Sequence, residues 1–190
     1  GNSEPETKFI QDLTEMNDDN GDGASDFKAT LSWHSYSELV LWPWGHCNDC
    51  QTVDDEYLVY HGFVMGEMTD YEPMQAGDLY PTQGDFCDWH YGVHQSYCYT
   101  IEIGNTFHEQ PDDIAHIAVR NLGIPFYMVE IADDPRFRAV HGIENMSARH
   151  WIQTPSEVNV PEKGDIHIDL CLDPYFCLLY TSDAADDNVG

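Results

Sequence analysis

The sequence predicts an α/β fold followed by a β-rich stretch, and three observations carry that reading. Short apolar runs of strand length, Phe27–His34, Leu39–Trp42 and Tyr97–Ile103, alternate with longer patterns of helical period. Hydrophobic residues make up 42% of the 190 and aromatics 13%, enough to bury a core despite a formal charge of −28. Past Ala139 the period changes to alternation, through Ile152, Val158 and Val160 to Ile166–Leu172.

Ser3 and Glu6 have capping-box spacing, ahead of a helical pattern through Phe9, Ile10, Leu13 and Met16. A polar run, Asn17–Gly23, follows. Within it Asp18, Asn20 and Asp22 match the first half of an EF-hand loop, but Ala29 stands where the bidentate Glu belongs. That density of carboxylates suits a hard cation such as calcium, with a plain solvated turn as the alternative. Phe27–His34 and Leu39–Trp42 then read as buried strands joined by a polar corner.

Val53–Met68 reads as a helix whose first turn carries Asp54, Asp55 and Glu56, where the helix dipole favours negative charge. Thr69–Gly92, rich in Gly, Pro, Asp and Tyr, reads as one long loop, and loops of that length are usually functional. Tyr97–Ile103 is the clearest strand. Pro111–Leu122 and Ile124–Ile131 read as helices broken at Gly123.

The charge excludes whole classes of partner. With 35 acidic residues against 7 basic ones, the chain repels polyanions and is not a nucleic-acid binder. Attraction to an anionic membrane surface fails on the same ground. No apolar run approaches the roughly 20 residues that span a bilayer, so membrane insertion is not expected. The composition is that of a folded acidic protein that stays soluble in saline water. Cys47-x-x-Cys50 lacks the second CxxC of a zinc knuckle. In a secreted protein it reads better as a short-loop disulfide, with Cys87 and Cys98 as a second pair. Asn145-Met146-Ser147 is a formal glycosylation sequon.

Two blocks carry a family resemblance. The stretch His34-Ser35-Tyr36-Ser37-Glu38-Leu39-Val40-Leu41-Trp42-Pro43-Trp44-Gly45 resembles the H-S-Y-S motif region of zinc carboxypeptidases of peptidase family M14. The second block agrees in order and spacing: Asp78-Leu79-Tyr80, Gly84-Asp85, Asp88-Trp89, then Thr100-Ile101-Glu102-Ile103. The run is most similar to bacterial thermostable-type carboxypeptidases, and the resemblance extends from about Ser3 to about Ala132.

The resemblance implies part of a mixed sheet flanked by helices, with the active site at the strand ends. It implies that His34 is a zinc ligand and Glu102 the general base and acid. Tyr80 would close over the substrate, and Ser35 and Tyr36 would line its subsites. Asp85 and Cys87 fall in the stretch that lines the pocket for the C-terminal side chain. A buried Asp85 would want a cationic partner, which a C-terminal Lys or Arg supplies, unless it only caps the loop. Zinc held by two His and a carboxylate keeps a position open for water, lowers that water's pKa and polarises the scissile carbonyl. A neighbouring carboxylate moves the proton from water to the leaving amine.

One departure qualifies these roles. The family's H-x-x-E ligand pair and carboxylate-binding Arg precede the H-S-Y-S motif, and neither is present here. His141-Gly142-Ile143-Glu144 has the spacing but follows Glu102, so it reads as coincidence. His90 and His94 are spaced to chelate zinc on a helix, yet the family places them in turn and strand, which implies a surface pair. The expected division is residues 1–135 as the C-terminal half of a peptidase domain and 140–176 as the start of a β-rich appendage. Cys177–Asp187 (CLLYTSDAADD) resembles a translated sequencing adapter, so residues 177–190 are expected to be a foreign tail. The parent protein would act outside the cell on peptide or protein C-termini, its signal peptide lying upstream, and this chain alone would be inactive. Two alternatives stand beside that reading: a same-fold cell-wall peptidase, and a catalytically incompetent peptide- or calcium-binding module.

Overall fold

The computed structural model describes residues 4–144 and the backbone of 168–173 and 176–180. The sequon at Asn145, the alternating positions 152–167 and the tail beyond Tyr180 lie outside these residues.

Burial picks out the middle of the sheet. β4 (Tyr97–Glu102) is buried over its first five residues and β2 (Leu39–Trp42) over all four. They pair antiparallel, with Val40 opposite Ile101. β1 (Ala29–His34) adds to β4 in parallel, and β3 (Glu72–Gln75) adds to β2 in parallel, giving the order β1-β4-β2-β3. The sheet is therefore mixed, and helices flank it. Pro73 is tolerated because β3 is an edge strand, where a missing N–H costs no ladder bond.

The helix predicted over Val53–Met68 is α2 (Asp55–Thr69), which packs on β2 and β3. Its Gly62 is there for contact: a Cβ would come within 2.6 Å of the Trp42 ring. Close approach of helix to sheet outweighs the roughly 0.5–1 kcal/mol that glycine costs inside a helix. Leu58, Met65, Tyr99, Ile101 and Ile124 are among the fully buried side chains, and each such aliphatic side chain contributes about 1.5–3 kcal/mol on burial. Tyr99 donates its buried hydroxyl to the Leu58 carbonyl at 3.0 Å, so its polar end is satisfied.

The first helix forms as α1 (Pro5–Met16), with Pro5 in its first turn and Glu4 as N-cap without a side-chain bond. Its apolar side chains Phe9, Leu13 and Met16 are nevertheless exposed. The segment Thr69–Gly92 is not a single loop. It contains β3, the short α3 (Ala76–Leu79) and most of α4 (Phe86–His94). Asp85 starts α4 by accepting the N–H groups of Cys87 and Asp88, an N-cap that offsets the polar composition read as loop.

His90 and His94 both lie on α4, and both are buried, not a surface pair. The His90 ring touches the Phe86 carbonyl and the Thr14 hydroxyl, and His94 Nδ1 accepts from the Ser25 N–H at 3.1 Å. They tie α1 and the following turn to α4.

α5 (Pro111–Asn121) and α6 (Gly123–Ile131) meet at Leu122, as the break at Gly123 predicts. A further helix, α7 (Pro135–Glu144), was not expected. Pro135 opens it and Asp134 accepts the Phe137 N–H at 3.0 Å, a start signal with a physical basis. His141 and Glu144 fall on this helix. Separately, β5 (Ile168–Asp173) and β6 (Phe176–Tyr180) pair antiparallel, with an irregularity between Cys171 and Asp173. β6 takes in Cys177–Tyr180, the first residues of the stretch that resembles adapter sequence.

Candidate active site at the ends of β1 and β4

The parallel register of β1 and β4 puts His34 beside Glu102 on the last rung of the pairing. Paired residues on neighbouring strands leave a sheet on the same face, so sequence positions 68 apart become neighbours. The rung is closed by the Ile103 N–H, which donates to the His34 carbonyl at 2.9 Å.

His34 is exposed, and its Nε2 bonds the Ser32 hydroxyl at 2.8 Å. With Nε2 as donor, Nδ1 keeps its lone pair. Glu102 is half-buried, and desolvation raises its pKa while the nearby His34 lowers it. A carboxylate pushed up in this way is a better proton acceptor than an ordinary surface one.

The turn after β1 carries Ser35 and Tyr36, both exposed. Tyr36 packs edge-on against Phe107 at 4.7 Å, and the Ser37 N–H donates to the Gly104 carbonyl at 3.1 Å. The turns after β1 and β4 thus hold one another beside the His34–Glu102 pair. Glu38 binds Arg120 at 2.6 Å and so anchors this turn to α5.

Tyr80 follows α3 and is 60% exposed. Its segment is strapped to the turn after β2. The Gly77 N–H donates to the Trp44 carbonyl at 3.0 Å, and the Thr82 N–H to the Gly45 carbonyl at 2.8 Å. Gln75 Nε2 reaches both the Trp44 and Cys47 carbonyls at 2.9 Å.

Asp85 caps α4 through Cys87 and Asp88, so its carboxylate already has donors without a cation. Cys87 is buried, forms a disulfide with Cys98 and accepts from the Thr100 hydroxyl at 3.5 Å. The second disulfide, Cys47–Cys50, is also present. The Asp18–Asp26 turn spends its carboxylates on itself. Asp18 accepts from Gly21, Asp22 and Gly23, Asn20 from Asp22, Asp22 from Ala24, and Asp26 from Asp19. These are side-chain-to-backbone turns of the Asx kind, and nothing here supports a calcium ion beyond the carboxylate pattern.

Two residues position this region although sequence reading assigns them no role, Asp88 standing within the Asp88-Trp89 pair. Asp88 takes the N–H groups of Gly45 and His46 at 2.7 and 3.0 Å, and Gln75 provides the strap just described. Their partners lie about three to four tens of residues away, and no local pattern encodes such a bond.

The donor chemistry at His34 fits zinc: an accessible imidazole with a free nitrogen, next to a carboxylate of raised pKa. It supplies one ligand. Among the described residues, no group of three metal-ligating side chains includes His34.

Comparison with known proteins identifies the family and the fold. The family model described as zinc carboxypeptidase, peptidase M14, matches residues 1–122. A zinc carboxypeptidase of Saccharothrix mutabilis subsp. capreolus is 36% identical over 86 residues, 43% of this chain and 20% of that protein. Zinc carboxypeptidase A 1 of Drosophila melanogaster is 31% identical over 85 residues, 40% of this chain and 20% of its own length. Bovine thrombin-activatable fibrinolysis inhibitor, solved in complex with tick carboxypeptidase inhibitor, superposes with a TM-score of 0.53 at 23% identity. That match covers 76% of this chain and 47% of the bovine one, and at this identity it shows the fold. The chain thus spans a fifth of the curated relatives and about half of the solved one.

Proposed function

Because this chain belongs to the zinc carboxypeptidase family, peptidase M14, we propose that the protein it forms part of removes C-terminal residues from peptides outside the cell. The observation that carries this reading is the His34–Glu102 rung, an accessible imidazole beside a carboxylate of raised pKa. His34 Nδ1 would hold zinc together with ligands from beyond these residues. When bound, the metal supplies an acidified water and a polarised carbonyl. Glu102 takes a proton on its carboxylate and returns it to the leaving amine, a role its raised pKa favours. Tyr80, exposed on a strapped segment, closes over the peptide terminus, and Ser35 and Tyr36 border the approach. Asp85 and Cys87 stand near the side-chain pocket. Asp85 is occupied as a cap, which supports a structural role over recognition of a C-terminal Lys or Arg.

The test is release of the C-terminal residue from synthetic peptides ending in Phe or Lys, by the complete protein. Glu102→Gln should lower kcat by about 10²–10⁴-fold with zinc still bound, and His34→Ala should lose the zinc. Full activity of Glu102→Gln would refute the assignment.

A further inference from the structure

We propose that, when Cys47 and Cys50 are reduced, His46, Cys47 and Cys50 form a second metal site, suited to zinc or another borderline-soft divalent ion and separate from His34. A ring nitrogen of His46 and the two sulfurs lie within 4.8 Å of one another. Tetrahedral zinc with bonds of about 2.0–2.3 Å sets ligand separations of roughly 3.5–3.8 Å, so the two sulfurs, bonded to each other in the present structure, part on reduction by side-chain rotation to reach that spacing.

The second observation is the support behind the histidine. Asp88 sits 2.8 Å from His46 Nδ1 and also accepts the backbone N–H groups of His46 and Gly45. The carboxylate is itself held, being only 14% exposed. A His whose Nδ1–H donates to a fixed carboxylate keeps the lone pair on Nε2 and holds its ring in one orientation, the arrangement found behind metal-ligating histidines. His46 is exposed and both cysteines are partly so, which lets an ion reach them. Three protein donors leave a fourth position for water or an outside ligand.

The disulfide of the present structure is the oxidised counterpart of this site. A phosphine or dithiol reductant supplies two electrons and is itself oxidised, leaving two thiols. Metal binding then releases one proton from each thiol. The site lies at the base of the Tyr80 segment, since the carbonyls of Trp44, Gly45 and Cys47 hold Gln75, Gly77 and Thr82. Disulfide and metal are two ways of closing the same turn under that segment.

The experiment uses the full 190-residue chain, reduced with a phosphine under argon and titrated with Co(II). The expected result is one equivalent bound with a strong sulfur-to-cobalt charge-transfer band, displaced by Zn(II). The oxidised chain, folded with its disulfide closed, should show no band. Cys47→Ser with Cys50→Ser should abolish it. Asp88→Asn should weaken binding about 10–100-fold, and His46→Ala at least as much, in variants whose circular dichroism matches the parent. A band that survives the double serine variant, or is absent from the reduced parent, would overturn the site. Unchanged affinity in His46→Ala would overturn the histidine's part in it.

Discussion

The ring of His61 bonds the Pro135 carbonyl through Nε2 at 2.8 Å, and its Nδ1 accepts from the Tyr127 hydroxyl at 2.6 Å. Because the carbonyl only accepts, the proton sits on Nε2, and the neutral ring is fully satisfied. Burial pushes its pKa down to about 4. The folded state therefore resists a proton that the unfolded chain takes up near pH 6.5. Stability should be whole above pH 6.5 and fall as pH drops toward 4, by about 3 kcal/mol at most. Urea midpoints measured between pH 7.5 and 4.5 check this, and His61→Gln should flatten that part of the profile.

Glu102 has the opposite sign. Its pKa is raised by desolvation, so the folded chain holds the proton more tightly than the unfolded one. Ionisation of Glu102 therefore costs stability as pH rises through its folded pKa, and the cost persists at neutral pH. Glu102→Gln should raise the melting temperature at pH 7, and the gain should vanish in acid where both forms are uncharged. An inactive but more stable variant would mark a group kept for chemistry at the expense of the fold.

Arg120 joins four features from α5. It bonds Glu38, the Thr69 and Asp70 carbonyls, and lies 4.7 Å over the Tyr71 ring. Arg120→Met should cost about 2 kcal/mol, the scale of a charge-assisted bond lost at a part-buried site. Arg120→Lys should recover little of it, because an ammonium lacks the planar fork. Chemical denaturation of the two variants separates these outcomes.

The Cys87–Cys98 disulfide joins the first turn of α4 to β4 across 11 residues of sequence. Replacing both with Ala should lower stability by about 3 kcal/mol on loop-closure grounds. Thiol titration of the unfolded parent, with and without reductant, checks that the bond is present.

Much of the fold was legible because the signals are local. β1, β2, β4 and α2 announced themselves through apolar runs and an acidic first turn, and Gly123 marked the junction of α5 and α6. The segment after α2 was misread because its order comes from distant partners. β3 depends on pairing with β2, and α3 is held by the Trp44 and Cys47 carbonyls. The buried histidines of α4 fooled a reading based on polarity. Both nitrogens of His90 are met by Thr14 and Phe86 and Nδ1 of His94 by Ser25, partners that only the folded chain brings near. α7 has a local start signal of its own, Asp134-Pro135, in which Asp134 accepts the Phe137 N–H. At the candidate site the residue types were readable from the motif, whereas the exposure of His34 and half-burial of Glu102 needed the sheet.

In the reaction proposed above, the rung that joins His34 to Glu102 also acts as a ruler. A slip of β1 against β4 by one residue would send one of the two side chains to the opposite face. Their separation is thus guaranteed by backbone hydrogen bonds and not by any contact between the side chains themselves. Substitutions that touch neither residue but shift β1 against β4 would then lower the proposed activity, because they disturb the measure and not the tools.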